Sequence, residues 1–196
     1  MPAQVQFLQQ PSQWSDHQLK LAASRNRRSA MNLLVNKYRE PLFRHALYLL
    51  KSEDEAYDVV QETFIRAVRE TRLFDIDFRI KAWLFRVAKN LCLNQLRNTS
   101  RRSAILDANP QADRQAPDQL STLFSGQQSI EMLGAMDKLS MDHREILILR
   151  YFDELSYAEI AQVLEVKLGT VMSRLSRARS SLLNVVEGGV LDEREG

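Results

Sequence analysis

Four serines in this chain each stand just ahead of a run whose apolar residues recur every three or four positions. Ser15-Asp16-His17-Gln18, Ser52-Glu53-Asp54-Glu55 and Ser156-Tyr157-Ala158-Glu159 fit the capping box. In that motif a hydroxyl and the acid or amide three residues later satisfy backbone N–H groups reciprocally. Ser140 heads the run MDHREILILRYF in the same manner. Between the first two boxes, Met31, Leu34, Tyr38, Leu42, Ala46 and Leu49 or Leu50 keep helical spacing. Pro41 falls inside that pattern and predicts a bend or break near Glu40. No alternating strand pattern and no internal repeat occur, and six Gly and five Pro in 196 residues leave little material for a turn-rich fold. The expectation is all-α.

Two helical blocks, about 15–98 and 129–187, flank a segment of different character. Residues 99–128, TSRRSAILDANPQADRQAPDQLSTLFSGQQ, are rich in Pro, Asp, Gln, Ser and Ala and hold no sustained apolar period. They read as a flexible linker between two small helical domains, with tails at 1–14 and 188–196. Charge is unevenly placed. Residues 1–98 carry 16 Lys and Arg against 10 Asp and Glu, whereas residues 129–196 carry 8 against 12. The basic first block suggests a nucleic-acid partner.

Several function classes recede on the same reading. The lone cysteine, Cys92, excludes an internal disulfide or a Cys-based zinc cluster. No apolar run approaches the roughly 20 residues that span a bilayer, and the N-terminus lacks the basic flank and apolar core of a secretory signal. A cytoplasmic protein without membrane insertion is expected. His17, His45 and His143 are scattered, and no glycine-rich phosphate loop occurs, so no catalytic constellation assembles. No enzyme activity, metal or cofactor is expected.

Residues 156–180 carry the strongest signal. A short capped helix (about 156–164), a turn, and a helix from about Thr170 have helix-turn-helix spacing. Ile160, Ala161 and Leu164, then Val166 and Leu168, then Val171 and Leu175 are the expected buried positions. At 100° per residue, Val171, Leu175, Ala178 and Leu182 form one stripe. Thr170, Met172, Ser173, Ser176, Arg177 and Arg179 lie on the remaining surface. Small polar side chains permit close approach to a major groove, and arginine grips phosphate or the O6/N7 edge of guanine. Glu165 occupies the turn, where a positive φ would cost a non-glycine residue on the order of 1 kcal/mol. Either a different turn or a tolerated strain is expected there.

With these residues in view, the run His143–Glu165 together with Gly169–Arg179 resembles region 4 of extracytoplasmic-function sigma factors. Asp58-Val59-Val60-Gln61-Glu62-Thr63-Phe64 resembles the family's region 2 core-binding motif. The stretch 82–90, AWLFRVAKN, resembles its region 2.3–2.4 helix. The resemblance covers roughly 15–98 and 129–186. It implies a sigma factor that binds core RNA polymerase and directs promoter-specific initiation, with partners in the β′ clamp helices, the β flap and promoter DNA. Many relatives are held by an anti-sigma factor.

On the helix of about 56–70, Val60, Phe64 and Ala67 form the core stripe. Asp58, Gln61, Glu62, Ile65 and Arg69 are the candidates for the polymerase face, where an outward Ile among charges resembles an interface anchor. On the helix of about 80–97, Ile80, Leu84, Val87 and Leu91 take one side. Arg79, Arg86, Asn90 and Arg97 take the other, with Lys89 alongside, as a track for DNA phosphates. By resemblance this track meets the −10 element, and the −35 element meets the helix from Thr170. The preceding loop, about 72–78, would capture an unstacked base. Phe74 and Phe78 are stacking surface there or core aromatics, while Trp83 and Phe85 read as core. Asp75 and Asp77 depart from the family's commoner Gly, Lys or Arg; such anions are costly beside single-stranded DNA unless they accept from an exocyclic amine such as cytosine's, and base identity there stays open. A stand-alone helix-turn-helix regulator is the alternative. It would bind duplex by itself and would have no use for the DVVQETF face.

Overall fold

The computed structural model describes residues 14–105, 132 and 134–192, with side chains placed at 14–99, 132 and 134–186. Seven α-helices are drawn from them: α1 (Asp16–Arg25), α2 (Arg27–Leu50), α3 (Glu53–Arg69), α4 (Ile80–Ile105), α5 (Met141–Leu147), α6 (Tyr157–Leu164) and α7 (Leu168–Asp192). Helix α5 runs on into a wider π-type turn, Ile148–Phe152. No strand occurs among the described residues. No helix there is long and apolar enough to cross a membrane.

The serine caps form as the sequence requires. Ser15 and Ser156 make complete capping boxes with Gln18 and Glu159. Ser52 and Ser140 accept from the N–H groups of Glu55 and His143. Asn26 caps α2 by accepting from the Ser29 N–H. Asp16, in the first turn of α1, then ties three helices together. Its carboxylate accepts from the Tyr38 hydroxyl of α2 at 2.7 Å and the Lys81 N–H of α4 at 3.4 Å, beside Lys37 at 3.6 Å. Burial and that carboxylate push the Tyr38 phenol far above its ordinary range.

Leu19, Leu34, Leu42, Leu47, Leu50, Leu84 and Phe85 are fully buried where α1–α4 meet. At about 1.5–3 kcal/mol per large apolar side chain, they decide one point that the local pattern leaves open. Of the bend or break expected near Glu40, the break is absent: α2 is one helix from Arg27 to Leu50 with Pro41 inside it. An interior proline costs about 3 kcal/mol, less than the burial of Leu34 and Tyr38 before it and Leu42, Phe43 and Ala46 after it. The expected linker also starts late. Its residues 99–105 continue α4, for extending a helix is far cheaper than nucleating one, no Gly or Pro intervenes, and the Thr99 hydroxyl bonds back to the Gln95 carbonyl at 3.0 Å. The remainder of that segment, 106–128, lies outside the described residues.

In the second block, Ile146, Leu149, Ile160, Val163, Val171, Leu175 and Ala178 are buried between α5, α6 and α7. Helix α7 begins at Leu168 rather than Thr170, and Leu168, expected inside, is half exposed. It stands at the first position of α7, beyond the last residue of α6. Glu165 adopts the left-handed turn with φ 55° and ψ 41°. Two bonds to the Ala161 carbonyl, from the Glu165 N–H and from the Val166 N–H at 3.0 Å, hold it there. The strain is tolerated, and the turn keeps helix-turn-helix geometry.

Ser156→Ala removes the hydroxyl half of the α6 capping box and keeps the bond from the residue 156 N–H to the Glu159 carboxylate. It is expected to cost about 1 kcal/mol and to lower the melting temperature by about 2–4 °C, read by far-UV circular dichroism with native helicity kept at 25 °C.

Candidate functional site

Three separate surfaces carry the candidate residues. The first is a groove of about 800 Å³ between α2 and α3. Gln61 and Ile65 line it, and Asp58, Glu62 and Arg69 lie on the same helix without lining it. Ile65 and Val68 are exposed, and Phe43 packs against Tyr57 with ring centroids 4.5 Å apart. The sequence reading missed the α2 wall, Val35, Arg39 and Phe43. Val35 and Phe43, eight residues apart on the helix face that Arg39 shares, were the available signal. An apolar floor with Arg39, Glu40 and Gln61 at its rim suits a protein helix better than a nucleic acid.

The second surface is the loop 70–79 with the outer side of α4. Leu73 is fully buried and pins the loop. Arg27 clamps it from α2, donating to the Glu70 carbonyl at 2.7 Å and the Thr71 carbonyl at 3.2 Å, with its guanidinium over the Phe74 ring at 5.4 Å. Lys20 donates to the Ile76 carbonyl at 2.7 Å. Phe74 and Phe78 are both half-buried against the core, Phe78 tilted on Trp83 at 5.9 Å. Ile76 is left 82% exposed at the loop's tip, flanked by exposed Asp75 and Asp77. Neither the two clamps nor Ile76 was foreseen, because loop anchoring from residues some 44–56 positions away leaves no local pattern.

Along α4, Arg79, Asn90 and Arg97 are exposed. Arg86 is partly covered and reaches Glu165 at 3.4 Å, and Lys89 is buried, donating to the Val163 carbonyl at 3.4 Å. Helix α6 therefore sits over the α4 positions 86 and 89. Phe85 is fully buried and Trp83 partly so, both as core residues. Cys92 is buried in the same helix, and burial pushes its thiol well above the ordinary range, with the Glu145 charge adding to it.

The third surface is α7. Met172, Ser173, Ser176 and Arg177 are exposed on its outer side, and Thr170 is partly covered. Arg179 lies to one flank. It donates to the Tyr157 hydroxyl at 3.2 Å and stacks over Tyr151 at 5.7 Å, and the Tyr157 bond raises its already high pKa further. Behind it, Met132, Met136, Leu147, Phe152, Leu182 and Leu183 line an apolar groove of about 500 Å³ that the sequence reading did not anticipate. Among the described residues no group of His, Cys, Asp and Glu is placed to hold a metal ion.

Comparison with known proteins divides the chain along the same lines. Residues 34–102 match the family "Sigma-70 region 2" and residues 129–182 match "Sigma-70, region 4". The ECF RNA polymerase sigma factor SigW of Bacillus subtilis is 30% identical over 161 residues, covering 76% of this chain and 84% of SigW. Among solved structures, CnrH in complex with the cytosolic domain of CnrY superposes with a TM-score of 0.66 at 26% identity, over 88% of this chain and 97% of that one. The sigma factor RpoE in complex with the anti-sigma factor NepR, from Bartonella quintana, gives 0.58 at 27% identity, over 79% and 96%.

Arg27→Ala frees the 70–79 loop. Amide hydrogen exchange at Leu73, Asp75 and Phe78 is expected to accelerate at least about tenfold, the equivalent of one lost charge-assisted hydrogen bond. Arg27→Lys, which keeps the charge without the fork, is expected to recover only part of the protection.

Proposed function

This chain belongs to the extracytoplasmic-function sigma factors of the sigma-70 family, RNA polymerase subunits that direct promoter-specific initiation, and on that premise we propose how its three surfaces divide the task. The α2–α3 groove, with Gln61, Ile65 and the flanking Asp58, Glu62 and Arg69, takes the β′ clamp helices of core polymerase. The apolar groove behind α7 takes the β flap. Thr170, Met172, Ser173, Ser176, Arg177 and Arg179 face the −35 element as duplex. Arg79, Arg86, Lys89, Asn90 and Arg97 lie along the −10 phosphates, where counterion release supplies affinity.

The loop 70–79 captures an unstacked base of the −10 element, Phe74 supplying a flat wall and Asp75 and Asp77 the acceptors for an exocyclic amine. Melting is then favoured because the open strand binds and the closed duplex does not. No covalent chemistry is required of this chain. The first domain, from residue 15 through α4, and the second, 129–187, act as two readers on one tether in the cytoplasm. The RpoE–NepR complex supports extending an anti-sigma partner to this chain. The observation that carries the reading is the exposed apolar groove of α2–α3 beside the anchored loop, a protein-docking surface next to a nucleic-acid one.

Run-off transcription from a promoter library with bacterial core polymerase tests it. Initiation at a defined promoter subset is expected only when the protein is present. Ile65→Asp should weaken core binding at least about tenfold by placing a charge in the apolar groove. Arg177→Ala should leave core binding intact and relax −35 discrimination by about 1–3 kcal/mol. Core-independent, sequence-specific duplex binding with no initiation would instead mark a stand-alone regulator.

A further inference from the structure

From His17 to Arg39 the chain carries Lys20, Arg25, Arg27, Arg28, Lys37 and Arg39 and not one Asp or Glu. Packing accounts for four of these cations. Lys37 pairs with Asp16, Arg39 lines the α2–α3 groove, and Arg27 and Lys20 hold the 70–79 loop by its carbonyls. Arg25 and Arg28 are exposed, and neither is in an ion pair with a described residue. Arg28 stands in the first turn of α2, which holds no acid. A cation at that end of a helix opposes the macrodipole and costs about 0.3–1 kcal/mol, so folding does not account for it.

Next to these arginines, α1 and the loop enclose a cleft of about 350 Å³ that belongs to neither apolar groove. Leu21 and Ser24 line it from α1, Phe74 and Ile76 from the loop, and His17 and Lys20 complete it. Leu21 is 52% and Ile76 82% exposed, and Lys20 holds Ile76 in place by bonding its carbonyl at 2.7 Å. Apolar faces held open beside cations suit an unstacked base and its phosphate. A purely acidic surface would satisfy the arginines and leave Leu21 and Ile76 exposed. A second cleft, where the loop meets α4, is lined by Arg72, Arg79 and Arg86. The loop thus stands between two cationic seats.

We propose that the cleft between α1 and the loop, with Arg25 and Arg28 beyond it, is a second seat for single-stranded DNA, which takes the unpaired strand downstream of the captured base by apolar and phosphate contact, without regard to sequence. The proposal rests on the assignment of α4 and the loop to the −10 element made above. The duplex toward −35 lies along α4, so the strand that passes the loop to the α1 side is the melted, downstream part. Phe74, the wall offered to the captured base, also lines this cleft, so the two nucleotides are neighbours on the strand. A closed duplex has no unstacked base to give Leu21 and Ile76, and the seat adds to the preference for the open form.

The test uses holoenzyme, the full chain bound to core polymerase, on two fork templates. In the short fork the unpaired non-template strand stops at the captured base, and in the long fork it runs about six nucleotides further. The variants are Leu21→Gln and Arg28→Glu, and because a glutamate in the first turn of α2 suits the helix, folding is not at risk in the second. Both are expected to bind the long fork about tenfold more weakly than wild type, while short-fork and core-polymerase binding stay at wild-type levels. Arg28→Lys is expected to match wild type on both forks, and changing the downstream bases to leave the affinities where they are. Unchanged long-fork affinity in both variants overturns the seat, as does an equal loss on the two forks. Loss of core binding in Arg28→Glu overturns it too, by making the corner a protein contact. Wild-type holoenzyme that binds neither fork overturns the sigma reading and this seat with it.

Discussion

A histidine and an aspartate 108 residues apart in sequence meet in the interior at 2.7 Å, and the arrangement of the two halves depends on that meeting. His45 has no second hydrogen-bond partner, its Nε2 being unbonded. With Asp153 accepting from Nδ1–H, the imidazole is fixed in one tautomer and set edge-on to Phe85 at 5.4 Å. The pair lies between α2 and the turn that follows the π-type end of α5, so helix packing inside each half delivers its two members to the same place. Around it the exposed ion pairs Lys51–Asp137 and Arg86–Glu165 contribute little each, on the order of 0–1 kcal/mol. They steer the halves by sign and leave the register to the buried pair.

The same geometry explains how one small chain keeps protein docking and DNA reading apart. The α2–α3 groove is lined by the first half alone, whereas the groove behind α7 shares Phe152 with the contact to Tyr48. The outer side of α4 is divided: Arg79, Asn90 and Arg97 remain open, whereas Arg86 and Lys89 are engaged by α6 and the Glu165 that follows it. The left-handed turn at Glu165 does two tasks here. It sets the angle between α6 and α7, and it delivers a carboxylate to Arg86. A glycine would relieve the backbone strain and lose the carboxylate.

What was legible in the sequence was local. Capping serines, the stripes of α3 and α7 and the helix-turn-helix all rest on interactions three or four residues apart, and these periodic signals survive in one dimension. Pro41 does not break α2 because the local rule was outweighed by burial on both sides of it. The linker misled at its start because Ser and Thr, poor helix formers in isolation, can bond back to the i−4 carbonyl once a helix is already running. Lys89 read as part of an exposed track because its place on the α4 wheel says nothing about which other domain covers that face. His45 read as one of three scattered histidines for the same reason. The groove behind α7 and the clamp of Arg27 on its loop are assembled across long separations, which a periodic reading does not reach.

The most direct test of the account is crosslinking read at residue resolution. A photocrosslinker at Val68, exposed on the rim of the α2–α3 groove, is expected to join the β′ subunit in the complex with core RNA polymerase, and one at Ser176, exposed on α7, to join the −35 duplex. Crosslinking of position 68 to promoter DNA, or to no polymerase subunit in an otherwise active complex, would contradict the account.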